Sequence, residues 1–177
     1  MRNRLFMVAA VTLLALLLAA TGGAASRENS SELYRKGARL AIDGQLDKAI
    51  LVFKKVVEIS PYYCMGHYGL GKAYLYKYGM IDDAIRHLKT SVKLDRKLVK
   101  GYFYLGIAHF MAKHYREAAS AFKSAYSYDD TYLEALYNLG VVYEIMEQQY
   151  YSTVYYNKFL EEKEKEFAAI EAGKREI

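Results

Sequence analysis

Between residues 30 and 166, apolar side chains return every three or four positions. They do so in stretches of roughly 12–16 residues, the period and length of amphipathic helices rather than of strands, whose side chains alternate. Short polar turns separate the stretches: "AIDGQLD", "KYGMIDD" and "MAKHYRE". The stretches are of two kinds. "IDDAIRHLKTSVKLD" has one apolar stripe (Ile81, Ala84, Ile85, Leu88 and Val92) with charge opposite. A helix of that kind lies half in solvent. The stretch over 62–78 is apolar nearly all round, so it is either buried or a binding surface. Asp82 or Asp83 stands where it would cap the following helix, and Ser60-Pro61 reads as an N-cap followed by a first-turn proline.

The pattern repeats. Leu70-Gly71 returns as Leu105-Gly106 after 35 residues, as Leu139-Gly140 after 34 more, and 34 residues earlier as Lys36-Gly37. The frame around each glycine is Leu33-x-x-Lys36-Gly37-x-x-Leu40, His67-x-x-Leu70-Gly71-x-x-Tyr74, Tyr102-x-x-Leu105-Gly106-x-x-His109 and Leu136-x-x-Leu139-Gly140-x-x-Tyr143. At a fixed distance follow Ala49-x-x-x-Phe53, Ala84-x-x-x-Leu88, Ala118-x-x-x-Phe122 and Ser152-x-x-x-Tyr156. Glycine inside a helix costs about 1 kcal/mol relative to alanine, so four glycines in one slot need a reason. Close helix approach supplies it, with Gly71 of the first helix facing Ala84 of the second.

This frame resembles the tetratricopeptide repeat, a 34-residue helix pair. The resemblance covers 30–166 as four units, 30–63, 64–98, 99–132 and 133–166. It implies an all-α solenoid of four antiparallel helix pairs. Residues 26–29 read as a linker and the charged segment 167–177 as a C-terminal cap, since solenoid ends need polar outer faces. The second unit carries one extra residue, near "YKYGM", and only the first keeps its proline.

The frame also disposes of two motifs in "CMGHYGLGKAYLYKYG". Gly66-x-x-x-x-Gly71-Lys72 has the outline of a phosphate-binding loop. That loop needs a strand before it and Ser or Thr after the lysine, and here Ala73 follows Lys72. Cys64-x-x-His67 is half a metal site at most, because zinc takes three or four ligands. His87, His109 and His114 have no matching partner at helical spacing. Cys64 is the single cysteine, so it has no intramolecular disulfide partner. No paired carboxylates, catalytic triad or oxyanion loop appears, and the expectation is no enzyme, no metal and no cofactor.

The first 25 residues are a different material. Arg2 and Arg4 precede an uncharged apolar run over 5–20, then "TGGAAS". This is the three-part layout of a secretory signal peptide. The alternative is an uncleaved anchor, since 5–21 reaches the ~17-residue lower limit of a membrane span. The expectation is an exported protein, periplasmic or attached to the inner membrane by that segment. The whole chain carries +5. Without Arg2 and Arg4 the balance falls to 23 basic against 20 acidic residues. Nucleic-acid binding calls for a dense basic face, which a near-balanced charge argues against, and no nucleic-acid partner is expected.

A stripe on the first helix of each unit remains. It holds Tyr34 in unit one; Met65, Tyr68, Lys72 and Tyr76 in unit two; Lys100, Phe103, Ile107 and Phe110 in unit three; and Tyr137 and Val141 in unit four. Spacings of three, four and seven keep such residues on one helix face. The resemblance implies that this face lines a concave groove. Tyr34, Tyr68, Phe103 and Tyr137 share one slot, forming an aromatic ladder that either meets a ligand or packs between repeats. Chaperone-binding members of the family hold a carboxylate between Lys and Asn. The equivalent positions here are mostly Tyr, Phe, Ala and Val, with Lys72, Lys100 and Asn138 scattered. The expected function is a scaffold or adaptor binding a protein or peptide segment in a bacterial envelope assembly. The alternatives are a glycan-binding scaffold and a self-assembling module.

Overall fold

A computed structural model describes residues 29–175. The chain forms two compact units that divide between Leu70 and Gly71. Every regular element among the described residues is helical: α1 (residues 29–42), α2 (Leu46–Ile59), α3 (Cys64–Leu75), α4 (Ile81–Leu94), α5 (Val99–Met111), α6 (Tyr115–Tyr128), α7 (Glu134–Ile145) and α8 (Gln149–Arg175). Odd-numbered helices are the first of each pair and even-numbered ones the second. The signal-peptide-like segment over 1–25 lies outside the described residues. Among those described, no helix is long and apolar enough to cross a membrane.

The turns within pairs recur in register. Gly44, Gly79, Lys113 and Glu147 share one slot, and all four have left-handed backbone, φ 74°, 76°, 60° and 58°. In three of them the next residue's N–H bonds back five positions: Gln45 to Leu40, His114 to His109 and Gln148 to Tyr143, at 2.8–2.9 Å. These are Schellman closures, which satisfy the last free carbonyls of a helix. In the second repeat the inserted residue changes the closure. There the Lys77 N–H bonds Tyr74 and the Met80 N–H bonds Lys77.

Two capping expectations are corrected. Ser60 ends α2 rather than starting α3, with its N–H on the Val56 carbonyl at 2.9 Å and its hydroxyl 2.7 Å from that of Ser30. Pro61 sits in the turn, and α3 begins only at Cys64. The residue before α4 is Met80, with no side-chain cap. Asp82 and Asp83 instead occupy the first turn, where negative charge meets the positive end of the helix dipole. Asp83 also pairs with Arg86.

The framed glycines face the large residue of the partner helix, not the alanine one turn earlier. A Cβ at Gly71 would lie 2.7 Å from Leu88 Cγ, and of Ala84 it would meet the backbone carbonyl, at 3.2 Å. The same Cβ would sit 2.7 Å from the Phe53 ring at Gly37, 2.6 Å from Phe122 at Gly106 and 2.5 Å from Tyr156 at Gly140. Each pair is keyed by a ring or leucine seated where a glycine leaves room.

In the first unit Ala49, Phe53 and Val56 of α2 are buried. In the second, Phe122 is fully buried among Ala118, Ala119, Ala125, Ala135, Leu139, Val142 and Tyr143. Ser152, in the alanine slot of the fourth repeat, is also buried.

Candidate partner-binding face

The stripe residues of α1 and of the start of α3 lie in the first unit. Tyr34 rests on Phe53, with ring centroids 5.7 Å apart, and meets Tyr63 edge-on at 6.4 Å. Burial pushes its hydroxyl up to about 12, helped by Tyr63 and Cys64. Met65 is half-buried, and Tyr68 is only 6% exposed. His67 fills the frame's aromatic slot, and its Nε2–H donates to the Pro61 carbonyl at 2.9 Å.

In the second unit the stripe is more open. Lys72 Nζ lies 4.6 Å above the centre of the Tyr104 ring, an attraction of about 0.5–1 kcal/mol at an exposed site. Tyr76, 66% exposed, lies beside Tyr104, and burial and then that neighbouring phenol raise its pKa. Phe103 packs against Phe122 at 5.6 Å and edge-on against Tyr132 at 5.1 Å. The Tyr132 hydroxyl is raised to about 12 by burial, then by Glu134, Tyr104 and Asp129. Ile107 and Phe110 are half-buried against the unit's core, with Phe110 also edge-on to Tyr115. Lys100 is exposed and Val141 half-buried. Tyr137 is 49% exposed and leans on Tyr156 at 5.8 Å and Phe159 at 5.6 Å. The Tyr156 hydroxyl donates to Glu144 at 2.9 Å. Burial, then that carboxylate, raises it to about 12.

The structure thus grades the ladder: Tyr68 is covered, Tyr34 and Phe103 are half-buried, and Tyr137 is open. It joins Lys72 and Tyr76 through Tyr104, which the stripe did not contain. Tyr104's slot holds Arg35, Gly69 and Asn138 elsewhere, so the repeat gives no hint of it. Tyr132 had a signal, because Tyr63 precedes its repeat at the same position. Chemically this face offers aromatic surface and phenol hydroxyls. Lys72 and Lys100 lie on its earlier helices, and Glu134 and Glu144 on α7.

No protein-family model matches the sequence, and neither does any curated protein. Solved structures do. The crystal structure of MamA aligns with a TM-score of 0.67 and 33% identity, covering 72% of this chain and 74% of MamA. The chain belongs to the tetratricopeptide-repeat family. Two more distant likenesses support the fold alone. The first tetratricopeptide-repeat domain of Spaghetti (RPAP3), solved bound to the HSP90 peptide SRMEEVD, is 22% identical with a TM-score of 0.64, over 67% of this chain and 94% of that one. PilF of Pseudomonas aeruginosa is 21% identical with a TM-score of 0.69, over 77% and 62%. The fold is therefore an α-solenoid, and tetratricopeptide-repeat proteins of this kind are protein-interaction scaffolds.

Proposed function

We propose that the chain is a non-catalytic adaptor that holds a protein or peptide segment on the exposed first-helix face of its second unit. The observation that supports this most is the continuity of polar-tipped aromatics there. Tyr76 and Tyr104 lie beside Lys72, Phe103 beside Tyr132, and Tyr137 stays half-open. Tyrosine combines large contact area with a hydrogen-bonding tip, the chemistry enriched at protein interfaces. The RPAP3 domain, bound to SRMEEVD, illustrates that a face of this fold accepts a short segment. Here Lys72 is engaged by Tyr104 and Asn138 donates to the Glu134 carbonyl, which favours a segment held by aromatic contact rather than by its terminal carboxylate. The leader-like sequence over 1–25 supports an exported scaffold in a bacterial envelope, with its site of action in the periplasm or at the inner membrane.

The test is a photocrosslinking amino acid placed singly at Tyr76, Tyr137 and, as a control on a second helix, Tyr128, in cells expressing the full chain. The expected result is one protein adduct from positions 76 and 137 and none from 128. Adducts to glycan, to a second copy of the chain, or equally from all three positions would overturn the reading.

A further inference from the structure

The joints between repeats recur as faithfully as the helix pairs. In the first unit, α2 receives the start of α3: a Cβ at Gly66 would lie 2.8 Å from Val56 and 3.4 Å from Val57. In the second unit, α4 receives α5 the same way: a Cβ at Gly101 would lie 2.9 Å from Val92. Then α6 receives α7, where Ala125 and Ala135 share one buried cluster. Gly66, Gly101 and Ala135 occupy a single slot of the frame, so the arriving helix always presents a small residue there. Three positions earlier it presents Tyr63, Leu98 or Tyr132.

The fourth repeat carries the same receiving ridge. The slots of Phe53, Val56 and Val57 are filled on α8 by Tyr156, Phe159 and Leu160. The helix extends the ridge with Phe167 and Ile170. At 100° per residue Leu160 and Phe167 fall within about 20° of each other, and Ile170 about 60° further round. Tyr137 of α7 leans on Tyr156 and Phe159, but among the described residues no helix covers the ridge from Leu160 onward. Leu160 is 55% exposed, Phe167 64% and Ile170 50%. The last element of a solenoid is expected to turn a polar face outward, and an apolar ridge rimmed by polar residues marks an interaction site. Between Leu160 and Ile170 the charge is acidic: residues 161–166 hold four glutamates and two lysines, the lysines paired with Glu162 and Glu166, while Lys158, Lys174 and Arg175 lie beyond the two ends of that stretch.

We propose that this ridge of α8 docks a basic amphipathic helix of a partner protein, in the pose that α5 and α7 take on the repeats before them. The docking helix carries a large apolar residue, then a glycine or alanine three positions later, with lysine or arginine and no acidic residue on its flanks. In that pose its large residue meets Tyr137, as Tyr63 meets Tyr34 and Tyr132 meets Phe103, so the ridge adjoins the first-helix face; Leu160 and Phe167 lie outside that face, and changing them tests the ridge apart from the proposed function.

The probe is a fluorescein-labelled peptide of this chain's own residues 60–78 with Cys64→Ser. It holds Tyr63 and Gly66 in the required spacing, with Lys72 and Lys77 and no acidic residue. Anisotropy is measured against the full chain and against Leu160→Glu/Phe167→Glu. The milder Leu160→Ala/Phe167→Ala variant is a second arm in case the glutamates disturb folding. Saturable binding to the wild type is expected, weakened tenfold or more by either pair and by Gly66→Leu in the peptide. Absence of saturable binding, or equal affinity for the variants, would overturn the proposal. So would light scattering that shows a wild-type dimer dissolved by Leu160→Glu/Phe167→Glu, since a second copy would then hold the ridge.

Discussion

Gly106 shows why one atom decides the packing of a pair. Its missing Cβ would stand 2.6 Å from the Phe122 ring, which is fully buried. Gly106→Ala is therefore expected to destabilise the second unit by about 1–3 kcal/mol, the usual range for overpacking. The same change at Gly173 on α8, where a Cβ meets nothing within 4 Å, should stabilise by up to about 1 kcal/mol through helix propensity. Urea midpoints of the two variants check this, and equal shifts in one direction would rule out the ring-in-slot packing. The glycine slot was legible in the sequence because it recurred four times. What it faces was not, since Ala84 and Leu88 lie one turn apart on the same stripe and sequence leaves the axial stagger of two helices open. His109 is a second residue-scale case. It is buried, and its Nδ1 lacks a hydrogen-bond partner. Burial holds its pKa below 6.5, with Lys89 and His114 adding to the effect and Glu117 opposing it. A histidine depressed in the folded state costs stability as pH falls below the unfolded value, because the unfolded chain takes the proton first. His109→Leu, which installs the residue found in this slot at Leu40, should flatten the loss in stability as pH falls below about 6.5. An unchanged slope would mean that another group carries the acid response.

At the scale of the element, the turns carry the clearest untapped stability. Four left-handed positions share a slot, yet only Gly44 and Gly79 are glycine. Lys113 and Glu147 hold the same conformation with a Cβ, which costs roughly 1–2 kcal/mol per residue. Glycine's greater freedom in the unfolded chain offsets part of that. Lys113→Gly and Glu147→Gly should each raise stability by about 0.5–1 kcal/mol, read as parallel increases in urea midpoint at constant m-value. A loss in either variant would mean the turn is not held left-handed in solution. Half of this device was written in the sequence as recurring glycine and half was hidden. The Schellman bonds from His114 and Gln148 form from backbone atoms whatever the side chain, so composition alone does not reveal them. Helix identity itself was legible throughout, because the 3.6-residue period survived substitution by Tyr, Phe and Met alike. Helix starts were less so: Ser60 resembled an N-cap but serves the end of α2.

For the whole molecule the open question is which aromatics hold the fold together and which serve a partner. Phe103 and Tyr137 share one slot of the frame but differ in surroundings. Phe103 is half-buried against Phe122 and Tyr132, while Tyr137 is half in solvent over Tyr156 and Phe159. Sequence could not separate them, because their slot is equivalent and only the neighbours differ. Tyr104 was invisible for the opposite reason, an aromatic in a slot that other repeats fill with Arg35, Gly69 and Asn138. Truncating a packed phenylalanine costs about 3–5 kcal/mol, and Phe103, only half-buried, should lose about 2–3 kcal/mol. Tyr137→Ala should cost under about 1.5 kcal/mol, since solvent already reaches its ring. For binding the order should reverse. An interface tyrosine at a hot spot contributes about 2 kcal/mol or more, roughly thirtyfold in affinity. Tyr137→Ala should therefore abolish most capture of the crosslinked partner while the protein melts nearly as before. Phe103→Ala, assayed below its lowered midpoint, should retain most of its affinity. The two measurements belong on one pair of variants, melting temperature beside dissociation constant. If Tyr137→Ala binds normally, the first-helix face of the second unit is packing surface, and the partner of this repeat array must be sought elsewhere on it.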